Sequence, residues 1–442
     1  MKKTLHIYIV FVFCISLYSQ SGFEFSINRN KITIPVKIIN NLVIIPMEIN
    51  GVPMNFLLDT GVKETVLFSL DETKEIEFSA IEKIQIRGFG KKDPFDGFKT
   101  SNNTMKTKDY VDKNHIVYLV LDEDINISSQ LGYPVNGIIG YYFFKNNPIK
   151  IDYSAQKVII YKDEKSLKKS IKKHEKTPLT FHFGKPFVTV ETIFKKDKEP
   201  FKTKLLLDTG NSDALWYFIN KDKNIELPSH HINDFLGKSV TGEVYGERGR
   251  IQSISWMNSV LKEPIASFPD TLGVNQINFT EDRHGSIGSE ILRRYTLIFD
   301  YKNEMIYSKK NSFFNDPFHF NMSGIEVQHQ GLEWVKTSYE ENPAIANNLF
   351  DINGDKIAGN LKYKFELKPV FVIASVRKDS PAEQAGLQKN DVIVKINKEK
   401  CYNYTLQQIT DILKSEEGRT IKIEIDRNGK HIETQFKLKN LL

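Results

Sequence analysis

The tripeptide Asp-Thr-Gly occurs twice in this chain, each time directly after three apolar residues. The copies are Asp59-Thr60-Gly61 and Asp208-Thr209-Gly210. Two carboxyl groups held about 3 Å apart cannot both ionise, so they share one proton, and one pKa falls while the other rises. Such a pair can activate a water molecule with one group and polarise a carbonyl oxygen with the other. We therefore predict that Asp59 and Asp208 are the catalytic residues.

Both copies lie in a longer repeat. The glycine motif Gly137–Gly140 matches Gly285–Gly288, and Ile151–Tyr153 matches Phe299–Tyr301, all at nearly the same spacing as the two Asp-Thr-Gly copies. A fixed spacing between matching features indicates duplicated units. A single Asp-Thr-Gly is typical of a turn, but two copies at matched positions predict two lobes that bring equivalent loops face to face across a pseudo-twofold axis.

The elements that would position the first carboxylate are β-strands. Residues 22–163 are predicted as an all-β first lobe with β-rich runs at 43–49 and 54–58. Between these runs, Asn50-Gly51 predicts a two-residue hairpin turn. The returning strand then delivers Asp59 at the point where the strand ends.

A lysine-rich stretch at residues 164–177 is predicted as a solvated basic linker, partly helical, that precedes a second lobe at 178–316. Between each Asp-Thr-Gly and its later glycine motif, paired glycines predict a hairpin that can cover an extended substrate. An ordinary surface hairpin stays open as the alternative. The candidate flap and substrate-binding residues are Gly88, Phe89, Gly90, Gly242 and Tyr245.

The composition of the 442 residues, 40% hydrophobic and 26% charged, is that of a globular protein. The formal net charge of +6 is mild, and the lack of an arginine cluster argues against nucleic acid as a partner. No CxxC or HExxH spacing is present, so we expect no metal and no cofactor.

The first 20 residues have the layout of a signal peptide, with a charged start, a short apolar segment and small polar residues at the exit. The apolar segment is short for a membrane span. We therefore expect export to the periplasm or the cell exterior, with no membrane span once the leader is removed. The mature chain then retains only Cys401, so no disulfide is expected.

From residue 320 the pattern changes to mixed α and β. Ser380-Pro381 followed by Gly386 predicts a short capped helix, and Asp391–Asn397 predicts a strand. A second amphipathic helix is predicted over 405–417. We predict an α+β domain over 320–442, with an insertion at 332–368.

The repeated apolar-apolar-Asp-Thr-Gly motif, with its later glycine motif, resembles the retropepsin and pepsin class of aspartic proteases. The run Ser380–Asn397 resembles a bacterial PDZ domain. The whole mature chain is therefore similar to secreted bacterial retropepsin-like proteases that carry a C-terminal PDZ domain. This resemblance implies a mainly β fold of two duplicated lobes plus an α+β PDZ domain. It also implies peptide-bond hydrolysis by an activated water, without a covalent intermediate.

The resemblance assigns further roles. It implies that Thr60 and Thr209 lock the two loops together and that Gly61 and Gly210 bring backbone N–H groups to the carboxylates. Asn211 can offer an amide to the second carboxylate. A peptide would add as a strand between 371–374 and the 405–417 helix. The candidate groove residues are Phe371, Ile373, Ile409 and Leu413.

Two positions depart from the motif. Val62 offers no hydroxyl to the first carboxylate, and Ser286 replaces an apolar residue. A non-catalytic peptide-binding protein therefore stays open as the alternative function. In either case the expected partners are a polypeptide substrate and a peptide ligand of the PDZ domain. A monomer is expected because one chain supplies both halves of the site.

Overall fold

The structure is a computed structural model that describes residues 22–69, 75–86, 95–120, 127–196, 198–219, 225–239, 242–270, 282–339 and 362–442. These residues are mainly β-strand with a few short helices, which confirms the predicted fold class. The leader predicted at 1–20 lies outside the described residues. No helix in the described part of the chain is long and apolar enough to cross a membrane.

The strands that fall within the predicted first lobe, residues 22–163, form one main sheet and contribute to a second. The turn Asn50-Gly51 has the positive φ angles of +49° and +87° that a tight hairpin requires. The strands are β1 Glu24–Phe25, β2 Lys31–Pro35, β3 Lys37–Ile39, β4 Leu42–Ile49, β5 Val52–Leu58, β6 Thr65–Leu67, β7 Glu82–Ile86, β8 Phe95–Thr107, β9 Tyr110–Leu119, β10 Gly137–Ile139, β11 Ile149–Asp152 and β12 Lys157–Tyr161. The helices are α1 Ile127–Leu131 and α2 Tyr141–Phe144.

The strands that fall within the predicted second lobe, residues 178–316, repeat this strand order. Its helix is α4 Ser289–Leu292, and α3 Glu164–Leu167 lies in the segment between the lobes. The strands from this segment onward are β13 Glu175–Pro178, β14 Thr180–His182, β15 Lys185–Ile193, β16 Phe201–Leu207, β17 Leu215–Tyr217, β18 His231–Ser239, β19 Gly242–Arg250, β20 Ser253–Trp256, β21 Ser259–Lys262, β22 Ile265–Pro269, β23 Gly285–Ile287, β24 Tyr295–Asp300 and β25 Met305–Lys310. The strand order β22-β17-β23-β16-β15 matches β9-β6-β10-β5-β4 of the first lobe. The sequence repeat is thus a repeat of topology.

The two lobes share a third sheet with the order β13-β25-β24-β11-β12-β2. Its central antiparallel pair joins the lobes, with Ile149 opposite Phe299 and Ile151 opposite Leu297. These side chains belong to an apolar core that runs through both lobes. A shared sheet and a shared core fix the two Asp-Thr-Gly loops relative to one another.

The segment predicted as a solvated linker contributes to this shared sheet. Asp163 caps α3 by accepting the Ser166 amide at 2.8 Å, and Leu167 packs beneath the sheet against Ile298. Residues 175–178 then pair with β25 as an edge strand. The predicted linker therefore packs on the shared sheet at its start and pairs with β25 at its end.

In the C-terminal domain the strands follow the order β26 Ile325–Tyr339, β27 Lys362–Val376, β28 Val392–Ile396, β30 Thr420–Arg427 and β31 Lys430–Lys437. The segment 332–368, predicted as an insertion, includes the outer part of the long β26–β27 hairpin. A further short strand is β29 Glu399–Lys400. The helices are α5 Pro381–Gln384 and α6 Leu406–Leu413, with a 3₁₀ turn at Cys401–Asn403. Helix α6 ends before the predicted residue 417.

This C-terminal domain packs on both lobes. Ile265 of the second lobe is buried in its core. On the first lobe, the Asn40 amide donates to the Gln407 side chain at 2.8 Å, and the Ser129 hydroxyl of α1 donates to the His329 carbonyl of β26. Helix α1 therefore lies along the outer edge of the C-terminal sheet.

Candidate active site

Each Asp-Thr-Gly loop follows a strand that is paired in parallel with a three-residue strand from the later glycine motif. Strand β5 runs beside β10, and β16 runs beside β23. The pairing continues one residue further, because the Asp59 amide donates to the Ile139 carbonyl and the Asp208 amide to the Ile287 carbonyl, both at 2.9 Å. The two glycine motifs therefore hold the two aspartates at equivalent places.

The two threonines join the loops by reciprocal hydrogen bonds. The Thr60 hydroxyl donates to the Leu207 carbonyl at 2.6 Å and accepts the Thr209 amide at 3.0 Å. The Thr209 hydroxyl donates to the Leu58 carbonyl at 2.7 Å and accepts the Thr60 amide at 3.0 Å. Both threonines are fully buried. Each hydroxyl thus satisfies two backbone groups of the opposite loop.

The carboxyl groups of Asp59 and Asp208 lie close together, that of Asp59 buried and that of Asp208 half-buried. The Gly61 amide donates to Asp59 at 2.6 Å, and the Gly210 amide donates to Asp208 at 3.1 Å. A Cβ on Gly210 would lie 2.2 Å from the carboxyl carbon of Asp59, and a Cβ on Gly61 would lie 2.7 Å from an Asp208 oxygen. Only glycine leaves room for the opposing carboxyl at these two positions.

The electrostatics of the pair are unequal. Burial and the neighbouring Asp208 raise the pKa of Asp59 well above its usual range, against the opposing effects of the Gly61 amide and Lys185. Burial also raises the pKa of Asp208, but Arg283, the hydrogen bond from Asp59 and Lys185 oppose that rise. The surroundings of the two carboxyls therefore differ: Arg283 opposes the rise of the pKa only at Asp208, whereas the second carboxyl adds to the rise at Asp59.

Two cations that the sequence reasoning missed lie near this pair. Arg283 donates to the Gly285 carbonyl at 3.2 Å and lies over the Phe218 ring at 5.1 Å. Burial lowers its pKa to about 10, against the attraction of Asp208. Burial and repulsion from Arg283 lower the pKa of Lys185, while the two aspartates oppose that shift. A comparison of the two repeat copies, position by position, would have found both residues.

The position of Asn211 differs from the expectation. Its side-chain oxygen accepts the Asp213 amide at 3.0 Å, and its only hydrogen bond to Asp208 among the described residues runs from its backbone amide to the Asp208 carbonyl at 3.4 Å. Asn211 therefore stabilises the turn that follows the second Asp-Thr-Gly. Asparagine side chains in turns commonly form such a hydrogen bond to the backbone two residues further on.

A buried charge network connects this turn to the C-terminal domain. Arg248 of β19 contacts Asp213 at 3.1 Å and Asp234 of β18 at 3.0 Å. Asp234 in turn contacts Arg377 of the C-terminal domain at 3.3 Å. Burial opposes ionisation of Asp213, but Arg248 and a hydrogen bond from Trp216 outweigh it and lower the pKa of this carboxyl. Arg248 thus joins the loop to the hairpin, and Asp234 joins the hairpin to Arg377 of the C-terminal domain.

The candidate flaps are only partly described. Gly88, Phe89 and Gly90 lie outside the described residues. In the second lobe, Gly242 begins β19 in the hairpin with β18. Tyr245 is 42% exposed on this hairpin, and its hydroxyl donates to a neighbouring glutamate at 2.9 Å. The hairpin is present, and its contact with a substrate stays a prediction.

The groove assigned to the C-terminal domain needs correction. Phe371 and Ile373 lie on β27, which is paired with β26 on one side and with β28 on the other. Strand addition at β27 is therefore excluded. Both side chains, together with Ile409 and Leu413 of α6, are buried in the domain core. Strand β26 forms the edge of the described sheet, and helix α1 lies along it. The sequence could not show that β26 and β27 form one long hairpin.

Comparisons with known proteins agree with this architecture. A family model described as aspartyl protease matches residues 45–143, and one described as PDZ domain matches residues 372–427. A protein of Staphylococcus haemolyticus named "Probable CtpA-like serine protease" is 32% identical over 87 residues, which is 20% of this chain. The match covers 17% of that relative's length.

Among solved structures, an aspartic proteinase from Irpex lacteus is 12% identical with a TM-score of 0.40, and the match covers 65% of this chain and 99% of that one. The two family models show that the chain carries an aspartyl protease domain and a C-terminal PDZ domain, which confirms the resemblance. The Staphylococcus relative, however, is named as a serine protease. The type of chemistry must therefore be argued from the residues of this chain.

Proposed function

We propose that this protein is an aspartic endopeptidase that hydrolyses peptide bonds with a water molecule activated by Asp59 and Asp208. The observation that supports this proposal is the close approach of the Asp59 and Asp208 carboxyl groups, on two loops that are hydrogen-bonded to each other where the lobes meet. No group of three or more His, Cys, Asp or Glu residues suited to a metal is found among the described residues. The dyad supplies both an acid and a base.

The inequality of the two carboxyls assigns their roles. Asp208, which Arg283 and Lys185 favour in its ionised form, takes a proton from the attacking water. Asp59, which in this proposal holds the shared proton, donates a hydrogen bond to the carbonyl oxygen of the scissile bond. The water oxygen bonds to the carbonyl carbon and gives a tetrahedral intermediate. When the C–N bond breaks, the leaving nitrogen takes a proton from the dyad.

The test is cleavage of an unfolded polypeptide by Asp59→Asn and Asp208→Asn proteins between pH 3 and pH 7. We expect each variant to lose at least about 1,000-fold in rate, because each loses one proton-transfer role. Asp109→Asn is the matched control, since the Asp109 carboxylate is partly exposed and pairs with Arg29. Full activity in either dyad variant would rule out this mechanism.

The same assay addresses the binding-only alternative. Folded wild-type protein that binds the polypeptide but never cuts it, at any pH in this range, would favour a non-catalytic peptide-binding role. For the PDZ domain, we propose peptide binding at the edge of β26, because that strand has one side without a paired strand among the described residues. Such binding requires movement of helix α1, which a peptide-induced change in fluorescence of Trp334 on β26 would report.

A further inference from the structure

The outer part of the long β26–β27 hairpin has two faces of different chemistry. We call residues 332–336 and 365–369 the outer ribbon. Side chains alternate between the two faces along each strand, and directly opposed residues share a face. One face therefore carries three opposed pairs, which are Leu332 with Pro369, Trp334 with Leu367, and Lys336 with Phe365. Five of these six residues are apolar.

The other face of the outer ribbon is charged. There Glu333 is opposite Lys368, and Val335 is opposite Glu366. The Glu366 carboxylate also forms a salt bridge with Lys368 at 2.8 Å. The outer ribbon is therefore amphipathic, with the alternation that is typical of a sheet with one face in water and the other against an apolar surface.

The apolar face of the outer ribbon lies on the surface of the chain. Four of its side chains are between 48% and 69% exposed, and these are Leu332, Trp334, Phe365 and Leu367. Because a large side chain of this kind has an area of about 200 Å², the four together expose about 500 Å². Apolar patches of this size on a monomer often have a function. A two-stranded ribbon is also marginally stable in water, so a cover on this face would stabilise it.

We propose that the apolar face of the outer ribbon is a dimer interface, which packs against the same face of a second copy of this chain. The two faces would together bury about 1,000 Å², which is the smallest area expected of a specific protein interface. A twofold axis along the ribbon would set Trp334 of each copy against Leu367 of the other, because these residues are directly opposed in the register. The charged faces would remain in water on the outside.

The edges of the outer ribbon favour a protein partner over a lipid surface. Strand β26 forms one edge of the described sheet. On the far side of β27, the described pairing with β28 is at Val372, beyond the outer ribbon. Both edges of the outer ribbon therefore lack a paired strand within the described part of the chain. Such backbone groups are costly in hydrocarbon, whereas at the rim of a dimer they stay in contact with water.

This dimer is compatible with the proposed site. The expectation of a monomer rests on one chain supplying both halves of the dyad, and pairing through the outer ribbon leaves Asp59 and Asp208 together in each copy. The proposal also stands apart from the proposed activity, because its test measures molar mass and needs no substrate. An inactive protein could still form this dimer, and an active one could fail to form it.

The experiment is sedimentation equilibrium of the full-length protein over a wide range of concentrations. We expect a reversible dimer with a Kd in the micromolar range, because the interface is at the lower limit of size. Trp334→Ser and Leu367→Ser should each raise this Kd by at least about 10-fold, since a few central apolar side chains carry most of the affinity of an interface. Val260→Ser is the matched control, because Val260 is an exposed apolar residue of the second lobe.

The control variant should keep the Kd of the wild type. Because Trp334 and Leu367 are largely exposed in the single chain, Tm measured at low concentration, where the protein is monomeric, should stay unchanged in both ribbon variants. Such a result separates loss of the interface from loss of the fold. A wild-type protein that is monomeric at every concentration, or a dimer whose Kd is the same in both ribbon variants, would overturn the proposal.

Two other occupants of the apolar face would give different results. A monomer that binds vesicles of phosphatidylglycerol and phosphatidylcholine, and loses this binding in Trp334→Ser, would reject the dimer in favour of a lipid surface. A monomer in which Trp334 is shielded from acrylamide at every concentration would reject it in favour of residues 340–361, which connect the two strands. The dimer instead predicts that quenching of Trp334 by acrylamide falls as the protein concentration rises.

Discussion

The reciprocal threonine bonds between the two loops allow a quantitative prediction. Thr60→Val keeps the shape of the side chain but removes the hydroxyl, which leaves the Leu207 carbonyl and the Thr209 amide without a partner in a fully buried place. An unsatisfied buried backbone group costs about 1–3 kcal/mol. The substitution should therefore lower the free energy of unfolding by about 2–6 kcal/mol, although the altered atoms are few.

Thermal unfolding followed by circular dichroism measures this effect. For a chain of 442 residues, the predicted loss corresponds to a fall in Tm of about 2–6 °C. Thr60→Ser is the matched control, because it keeps the hydroxyl and its Tm should fall much less. Thr209→Val should reproduce the result, since its hydroxyl serves the Leu58 carbonyl and the Thr60 amide in the same manner. A Thr60→Val protein with the Tm of Thr60→Ser would refute this account of the loops.

Three further predictions concern charge. Asp59→Asn should raise Tm at pH 8 but not at pH 4, because burial and the second carboxyl raise the pKa of Asp59 and ionisation therefore destabilises the folded state as pH rises; equal Tm values at pH 8 would contradict this. Burial, Lys150 and Lys309 lower the pKa of His174 to about 4, so its protonation favours the unfolded chain as pH falls below about 6.5. The urea midpoint of His174→Phe should therefore fall less than that of the wild type between pH 7 and pH 5. An equal fall in both proteins would reject this. Arg248→Met should lower the free energy of unfolding by about 3 kcal/mol, because it leaves the Asp213 and Asp234 carboxylates without their shared cation. Arg248→Lys should lower it by less. Urea unfolding measures both, and an equal or larger loss in Arg248→Lys would contradict this prediction.

The sequence predicted the repeated elements because their signals are local. Asn50-Gly51 and Asn428-Gly429 both adopt the positive φ angles expected of tight turns. Thr405 and Gln408 form the complete capping box of α6. The repeat spacing also placed Asp59 and Asp208 in equivalent loops, since duplicated strands must pair in the same way in both lobes.

The remainder depended on contacts between distant segments. Phe371 and Ile373 resemble a groove strand by composition, but only the pairing partners show that β27 is an inner strand. The Asn211 side chain could have donated a hydrogen bond to the Asp208 carboxylate, but the local turn directs its oxygen to the Asp213 amide instead. Lys185 lies at the beginning of an unremarkable strand, so its position beside the dyad follows only from the folding of the second lobe.

The contact between Arg377 and Asp234 affects how the chain can be dissected. A fragment ending at residue 316 would lose this partner of Asp234 and would expose Ile265, which the PDZ core covers. Such a fragment would carry an apolar patch prone to self-association, beside a hairpin whose charges are no longer balanced. Any loss of turnover after truncation would then combine impaired recognition with a damaged scaffold. Point substitutions along the outer edge of β26, in the intact chain, would separate these two effects.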